Sequence, residues 1–546
     1  MHLPMEITET QKPVAYGMKI FMNNKTIKEM RVKSIFQTLF VGSIAAITVS
    51  CANEETTNDT VCINPNGTTF TASDVLTRTS MQHVKGGVGK FFWETGDNIW
   101  VDNNGTLVKS NASNITATAT TAEFQVSGSF TNSSYPVFYT GTNSTSGNEV
   151  TIPTTQTQTA PDNTSHFGQS GDCGVATATR NSTGFKFKLE HKAAYLCFLP
   201  RCESASLGPN IYLTKIVVTS DNDITDTYTL DPTAETNTGA LTGTGSGNKI
   251  ELTTKGNYGS TYQNGFPLTN TSASLTTNGA YMVIKPGTHT LRIRYWVKDV
   301  ATHVEGTITK IIPSHTFAKN EYVNMEADLQ IKNYDGDHYY MWDAQNQYWY
   351  GYEWTKHLSG NTGQPTRNYT SSSNYPQSSS DANNRWYYEG SGSPFDATHS
   401  CATLPNVNEM TWYAAEGDPR WDENELWTTM GHLYKGGMWF KKKAYIIGYN
   451  SNTAYDGTDW RTNSMGYSWP ISLTLPSAAD AGNYFYLPAL GWYASGQLYN
   501  VGSRGNYWSS SAYPGNSNGA YAMFFGGGLN VGYHARSGGY RAEALQ

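Results

Sequence analysis

Short runs in which apolar and polar residues alternate recur along the first 330 residues, among them Phe185-Lys186-Phe187-Lys188-Leu189, Lys215-Ile216-Val217-Val218-Thr219 and Leu291-Arg292-Ile293-Arg294-Tyr295. Clusters of Asn, Gly and Asp separate them. A period of two sends one set of side chains into a core and the other toward water, so the pattern predicts antiparallel β-sandwiches. No amphipathic helix of convincing length appears between residues 63 and 330, and the Thr/Ser-rich stretch Thr151–Ser165 reads as exposed loop.

Beyond Tyr334 the pattern changes. Helical spacing is confined to Val407–Ala415, where Val407, Met410 and Ala414 share a face after Pro405 and Asn406, and to Asn424–Leu433. Alternation returns at Tyr521-Ala522-Met523-Phe524-Phe525. Only Trp93, Trp100 and Trp296 precede residue 340, whereas twelve tryptophans follow it, which places a boundary between two differently built regions near Asn333.

Composition narrows the class. A chain of 546 residues is too long for one core and divides into three or four domains. Charged residues make up 15%, well below the usual quarter, which favours β-rich extracellular architecture over a helical cytosolic enzyme. A net charge of -7 over this length implies no nucleic-acid partner. The six cysteines (Cys51, Cys62, Cys173, Cys197, Cys202, Cys401) show no zinc-ligand spacing. Cys197 and Cys202 either bridge or remain buried thiols.

The N-terminal 1–50 reads as a signal peptide whose start is Met18 or later. Lys19, Lys25, Lys28, Arg31 and Lys33 precede the apolar stretch Ile35–Val49, which is short for a membrane span. Thr48-Val49-Ser50-Cys51 resembles a bacterial lipobox, which implies lipidation of Cys51 and anchoring to the outer membrane; Thr48 departs from the usual aliphatic residue, and ordinary signal cleavage is the competing reading. Residues 51–64 are expected to form a disordered tether, whose Ala52–Asp59 run resembles the export signal of Bacteroidetes surface lipoproteins and equally suits a solvated linker.

Between residues 65 and 330, Arg78-Thr79, Phe92–Trp100, Phe187–Leu196, Tyr281–Gly287 and Phe317–Tyr322 fall in the order of strand motifs that resemble the fimbrillin-like family of Bacteroidetes pilus and surface lipoproteins. The resemblance implies two sandwich subdomains, 65–180 and 181–330, with a role in anchoring or in assembly with other pilins. His191, on an alternating strand without a nucleophile partner, reads as a satisfied structural histidine.

From 334 to 546 the segment Leu404–Ala415, then Gly437-Met438-Trp439, Tyr486–Ala489 and Gly505-Asn506-Tyr507-Trp508-Ser509-Ser510-Ser511, resembles the C-type-lectin-like domains of the formylglycine-generating and major-paralogous-domain branch. That resemblance implies an α+β fold with Trp508 in its core. Glu543 stands where the branch carries an Arg. No cysteine follows Cys401, so the oxidase chemistry of the formylglycine-generating members has no ligands here; neither EPN nor QPD occurs to hold calcium. Asp418, Asp422, Glu423 and Glu425 read as a solvated acidic loop or a hard-cation site. No cofactor, metal or catalytic residue is expected, and the chain reads as a binding protein rather than an enzyme.

The fold class is therefore multidomain, all-β sandwiches followed by an α+β lectin-like domain. The recognition surface is expected in Asn516–Ser537, with Asn516, Asn518, Tyr521, Asn530, Tyr533, His534, Arg536 and Ser537 as ligand contacts, a mixture of aromatic rings and adaptable polar groups typical of paratopes. Some members of this branch are variable proteins of diversity-generating retroelements, and adenine-rich codons fit these residues; turn-forming surface residues fit them too. The expected function is a surface adhesin or receptor for an extracellular protein or glycan, with a pilus tip as one setting and glycan capture for nutrient uptake as the alternative.

Overall fold

The computed structural model describes residues 6–7, 67–72, 80–83, 90–203, 208–334, 338–351, 374–378, 380–381, 397–494 and 496–546. Cys51, the 51–64 tether, Arg78-Thr79 and, but for residues 6–7, the 1–50 leader lie outside them. The described chain is mostly strand, arranged in several sheets.

In the first part, strands such as Gly67–Ala72, Ala122–Ser127, Ser134–Tyr139 and Gly174–Arg180 share one sheet. Ala122–Ser127 alternates buried and outward positions, as a half-buried strand must. Phe70, Trp93, Phe124 and Phe185 fill the interior, with Phe70 stacked on Phe185 at 4.8 Å. A second core lies between the sheet holding Ala194–Arg201, Ala280–Ile284 and Tyr322–Asp328 and a larger sheet holding Ile211–Ser220, Gly287–Asp299 and Glu305–Phe317.

His191 packs against a further core that includes Phe91, Tyr195 and Cys197. Its Nδ1 lies 2.8 Å from Asp172 Oδ1, the Tyr195 hydroxyl donates to the same oxygen at 2.5 Å, and the imidazole stacks on Phe91 at 4.0 Å. All four residues are buried, so this is a polar rivet within the fold.

Two sequence expectations change here, and one open alternative is decided. Thr151–Ser165 is not simply an exposed loop: Glu149–Ile152 and Thr155–Thr157 are strands, and Gln156 and Gln158 are buried. Gln156 donates to Val283 O at 2.7 Å and accepts from Val283 N at 2.9 Å. The side-chain amide thus serves the edge of Ala280–Ile284 as a peptide group would, which hydropathy alone does not reveal. Asn424–Leu433 is no helix, because Arg420–Thr429 and His432–Lys441 pair as a hairpin through Met430 and Gly431, both at positive φ. Cys197 and Cys202 form no disulfide, and they enter different cores.

The helix Val407–Ala415 forms where its spacing predicts. Asn406 accepts from Glu409 N at 3.0 Å, and Glu409 accepts from Asn406 N at 2.8 Å, a reciprocal capping box.

Of the acidic group around residue 420, Asp422 and Glu425 are not solvated but buried and bonded. Asp422 and Glu425 are buried where the strand Arg420–Thr429 runs beside Glu305–Phe317, with Thr307 and Glu425 bridged in parallel. Arg294 donates to Asp422 at 2.8 Å and Trp439 Nε1 donates to it at 3.1 Å. Glu425 accepts from Thr309 N at 2.9 Å, Thr309 Oγ1 at 2.7 Å and Thr307 Oγ1 at 3.0 Å. Burial, and then the neighbouring Asp422 charge, push the Glu425 carboxyl up to about 7. Asp418 pairs with Arg420 at 2.8 Å, and Glu423 is exposed. Among the described residues no three His, Cys, Asp or Glu side chains converge to hold a metal ion. Leu426 completes the joint by packing into the sandwich core. The C-terminal region is therefore docked on the sandwich through buried, directional bonds.

Among the described residues no helix is long and apolar enough to cross a membrane.

Candidate ligand-binding surface

The C-terminal region carries a six-stranded sheet in the order Tyr339–Tyr340, Tyr540–Arg541, Gly505–Ala512, Gly519–Phe525, Leu529–Ala535, Tyr467–Trp469. Trp508 is fully buried, stacks on Tyr540 at 4.4 Å and donates through Nε1 to Tyr340 O at 2.7 Å. Arg541 is buried two residues before Glu543, lies over the Tyr339 ring and pairs with Glu543 at 3.1 Å. A buried arginine thus stands two residues before Glu543, the position where the resemblance expects one.

Register divides the expected contacts between two faces. Tyr521 stands opposite Tyr533 and Met523 opposite Val531, whereas Ala520 faces His534, Ala522 faces Gly532 and Phe524 faces Asn530. Since successive side chains alternate, Tyr533 and His534 point to opposite sides of the sheet and do not serve one ligand together. His534 is partly covered against Phe524, with Nδ1 2.8 Å from the Tyr540 hydroxyl. Burial and then the Arg504 charge hold its pKa down at about 4, so the ring is neutral near pH 7. Asn530 donates to Ser468 Oγ at 2.8 Å on that same face.

Tyr521 and Arg536 are not contacts available to solvent, since both are fully buried. They support the surface from beneath. The Tyr521 hydroxyl donates to Asn463 O at 2.6 Å and accepts from Met465 N at 3.0 Å, which pins the segment 463–465 along the sheet edge. Arg536 lies over the Trp342 ring at 4.6 Å and donates to Gly519 O at 2.8 Å and Pro376 O at 3.1 Å. Arginine's polar body and flat apolar faces suit that buried role. Ser537 is half-buried in the turn that follows, while Asn516 and Asn518 are exposed on the turn before Gly519.

What reaches solvent is an aromatic patch that sequence reading finds only in part. Tyr533 is 43% exposed, Tyr467 53% and Met465 37%, an exposed cluster of large apolar side chains. Tyr467 pairs with Val531, so it is the diagonal same-face neighbour of Tyr533. Tyr513 packs edge-on to Tyr533 at 5.2 Å and to Tyr521 at 5.0 Å. A Cβ at Gly519 would lie 2.2 Å from the Tyr533 ring, and one at Gly515 would lie 2.2 Å from Ser464 Oγ. These two glycines let the ring and the 463–465 segment close against the backbone, so the patch is pre-shaped. Met465 and Tyr467 gave no sequence signal, because their place depends on Tyr521 and Val531, more than fifty residues on, and Tyr513 joins them only through the sheet that holds Tyr521 and Tyr533.

No protein-family model matches the chain, and no curated protein sequence matches it. Among solved structures, the chain is similar to a protein of Bacteroides uniformis proposed to act in cell adhesion (14% identity, 49% of this chain and 94% of that chain covered, TM-score 0.28). A fimbrial protein from Bacteroides ovatus shares 9% identity over 87% of this chain and 98% of that chain, with a TM-score of 0.23. Both scores lie below 0.5, too low to assign this chain a family or a shared fold.

Proposed function

We propose that this chain is a non-enzymatic adhesin or receptor of the bacterial cell surface, in which a fimbrillin-like sandwich stalk presents a C-terminal lectin-like domain that binds an extracellular ligand through the Tyr467–Met465–Tyr533 patch. The observation that carries the reading is the patch itself: exposed rings held by buried Tyr521, Arg536 and two glycine contacts, on a domain bolted to the sandwich by Asp422 and Glu425. Exposed aromatic anchors in a pre-organised frame are what binding surfaces use, because little side-chain entropy is lost on capture. In this reading Cys51 is the lipid anchor at the outer membrane, 51–64 is the tether, and other pilins are partners if the chain sits at a pilus tip. Diversification of Asn516–Ser537 belongs to the same proposal.

The test is adhesion of cells displaying the full chain to an immobilised mucin glycoprotein. Tyr533→Ala combined with Tyr467→Ala is expected to abolish adhesion while surface amounts stay unchanged; undiminished adhesion overturns the assignment. Labelling with a palmitate analogue is expected to mark the protein and to vanish with Cys51→Ala, and labelling that persists overturns the anchor.

A further inference from the structure

Resting on the proposed function, we infer that the ligand class of the Tyr467–Met465–Tyr533 patch is a neutral saccharide, gripped by ring stacking and by hydroxyl and amide groups at the rim. The first ground is charge. Among the described residues, the charged groups of the segment behind Tyr455, which packs on Tyr467, are already engaged: Arg461 forks onto Asp459 at 2.9 and 2.8 Å, and Asp456 accepts from Trp460 Nε1 at 3.0 Å and from Thr458 N and Oγ1 at 3.0 and 2.8 Å. Arg536 is buried below, and His534 faces the other side of the sheet. Among the described residues, these charged groups are thus paired or turned away from the patch and give little to reward an acidic or basic ligand.

The second ground is the mixture of surfaces. Around the rings stand exposed Thr462, Asn463, Ser464, Asn516 and Asn518. A pyranose presents an apolar C–H face that packs on an aromatic ring and an equatorial belt of hydroxyls that both donate and accept, the same division seen across this patch. The third ground is size. The three exposed side chains offer roughly 300 Å², whereas a stable protein partner needs about 800 Å² per side. A sugar of one to three rings fits the smaller figure.

The test uses the full chain and immobilised mucin with and without periodate oxidation of its sugars, alongside neutral oligosaccharides of glucose, galactose and N-acetylglucosamine. Binding is expected to disappear after periodate, to fall at least tenfold in either Tyr467→Ala or Tyr533→Ala, and to change less than twofold between low and high salt. Binding that survives periodate yet is lost in the tyrosine variants overturns the saccharide and leaves the proposed function standing with a protein ligand. Binding that sialidase removes and salt weakens overturns neutrality. Binding indifferent to both sugar removal and the tyrosines, or none by the unaltered chain to mucin or any oligosaccharide, overturns both readings.

Discussion

Gly519→Ala separates the shape of the surface from its composition, because it alters no exposed side chain. The new Cβ would sit 2.2 Å from Tyr533 Cε2, 2.4 Å from Cδ2 and 3.2 Å from Tyr513 Cβ. A side-chain ring yields to such a contact by rotating outward, and its edge-on packing against Tyr513, at 5.2 Å, is lost. That pair is worth about 0.5–1.5 kcal/mol. Replacing a strand glycine with alanine returns about 0.5–1 kcal/mol of chain entropy. The terms nearly offset, so thermal unfolding is expected to move by no more than about 3 °C in a domain of this size. Binding to immobilised mucin depends on the ring's orientation and is expected to fall at least tenfold, about 1.4 kcal/mol. Full affinity with a normal melting temperature would refute the idea that Tyr533 is held in place for binding.

Other consequences are equally direct. Asp172→Ala removes the buried acceptor shared by His191 and Tyr195, and unfolding by denaturant is expected to show a loss of about 1–3 kcal/mol in the sandwich. Glu425 has its folded pKa raised above the ordinary carboxyl value, so its contribution is present below about pH 4.5 and is lost as pH climbs through about 7. The stability difference between the unaltered chain and Glu425→Gln, measured by denaturant titration from pH 4.5 to 8, is expected to favour the variant increasingly at the upper end, by a few kcal/mol at most; a flat difference contradicts the buried joint. Asn406→Ala removes one half of the capping box and is expected to lower the stability of the C-terminal region by about 1 kcal/mol, read by thermal melting.

Local signals carried much of this architecture. The helix start at Asn406 and the alternation of Leu291–Tyr295 are decided by near neighbours, and each could be read directly. What escaped was set by distant partners. Asn424–Leu433 mimics helical spacing, but Trp427 and Leu426 become buried only because His432–Lys441 and the sandwich lie alongside. The buried glutamines at 156 and 158 look like loop residues until the edge of Ala280–Ile284 supplies their bonds. Within the site, Tyr533 was legible as an aromatic in a segment of small polar residues. Tyr521 and Arg536 belong to the same segment yet serve as its supports, a distinction that needs the sheet register and the position of Trp342. Met465 and Tyr467 were out of reach for the same reason.

Hydroxyl-radical footprinting of the full chain bound to mucin tests the central claim most directly, since Met465, Tyr467 and Tyr533 are both exposed and readily oxidised. The account predicts strong protection at these three residues on binding, with buried Tyr521 unchanged. Protection confined to another face, while these three stay as reactive as in the free chain, would contradict it.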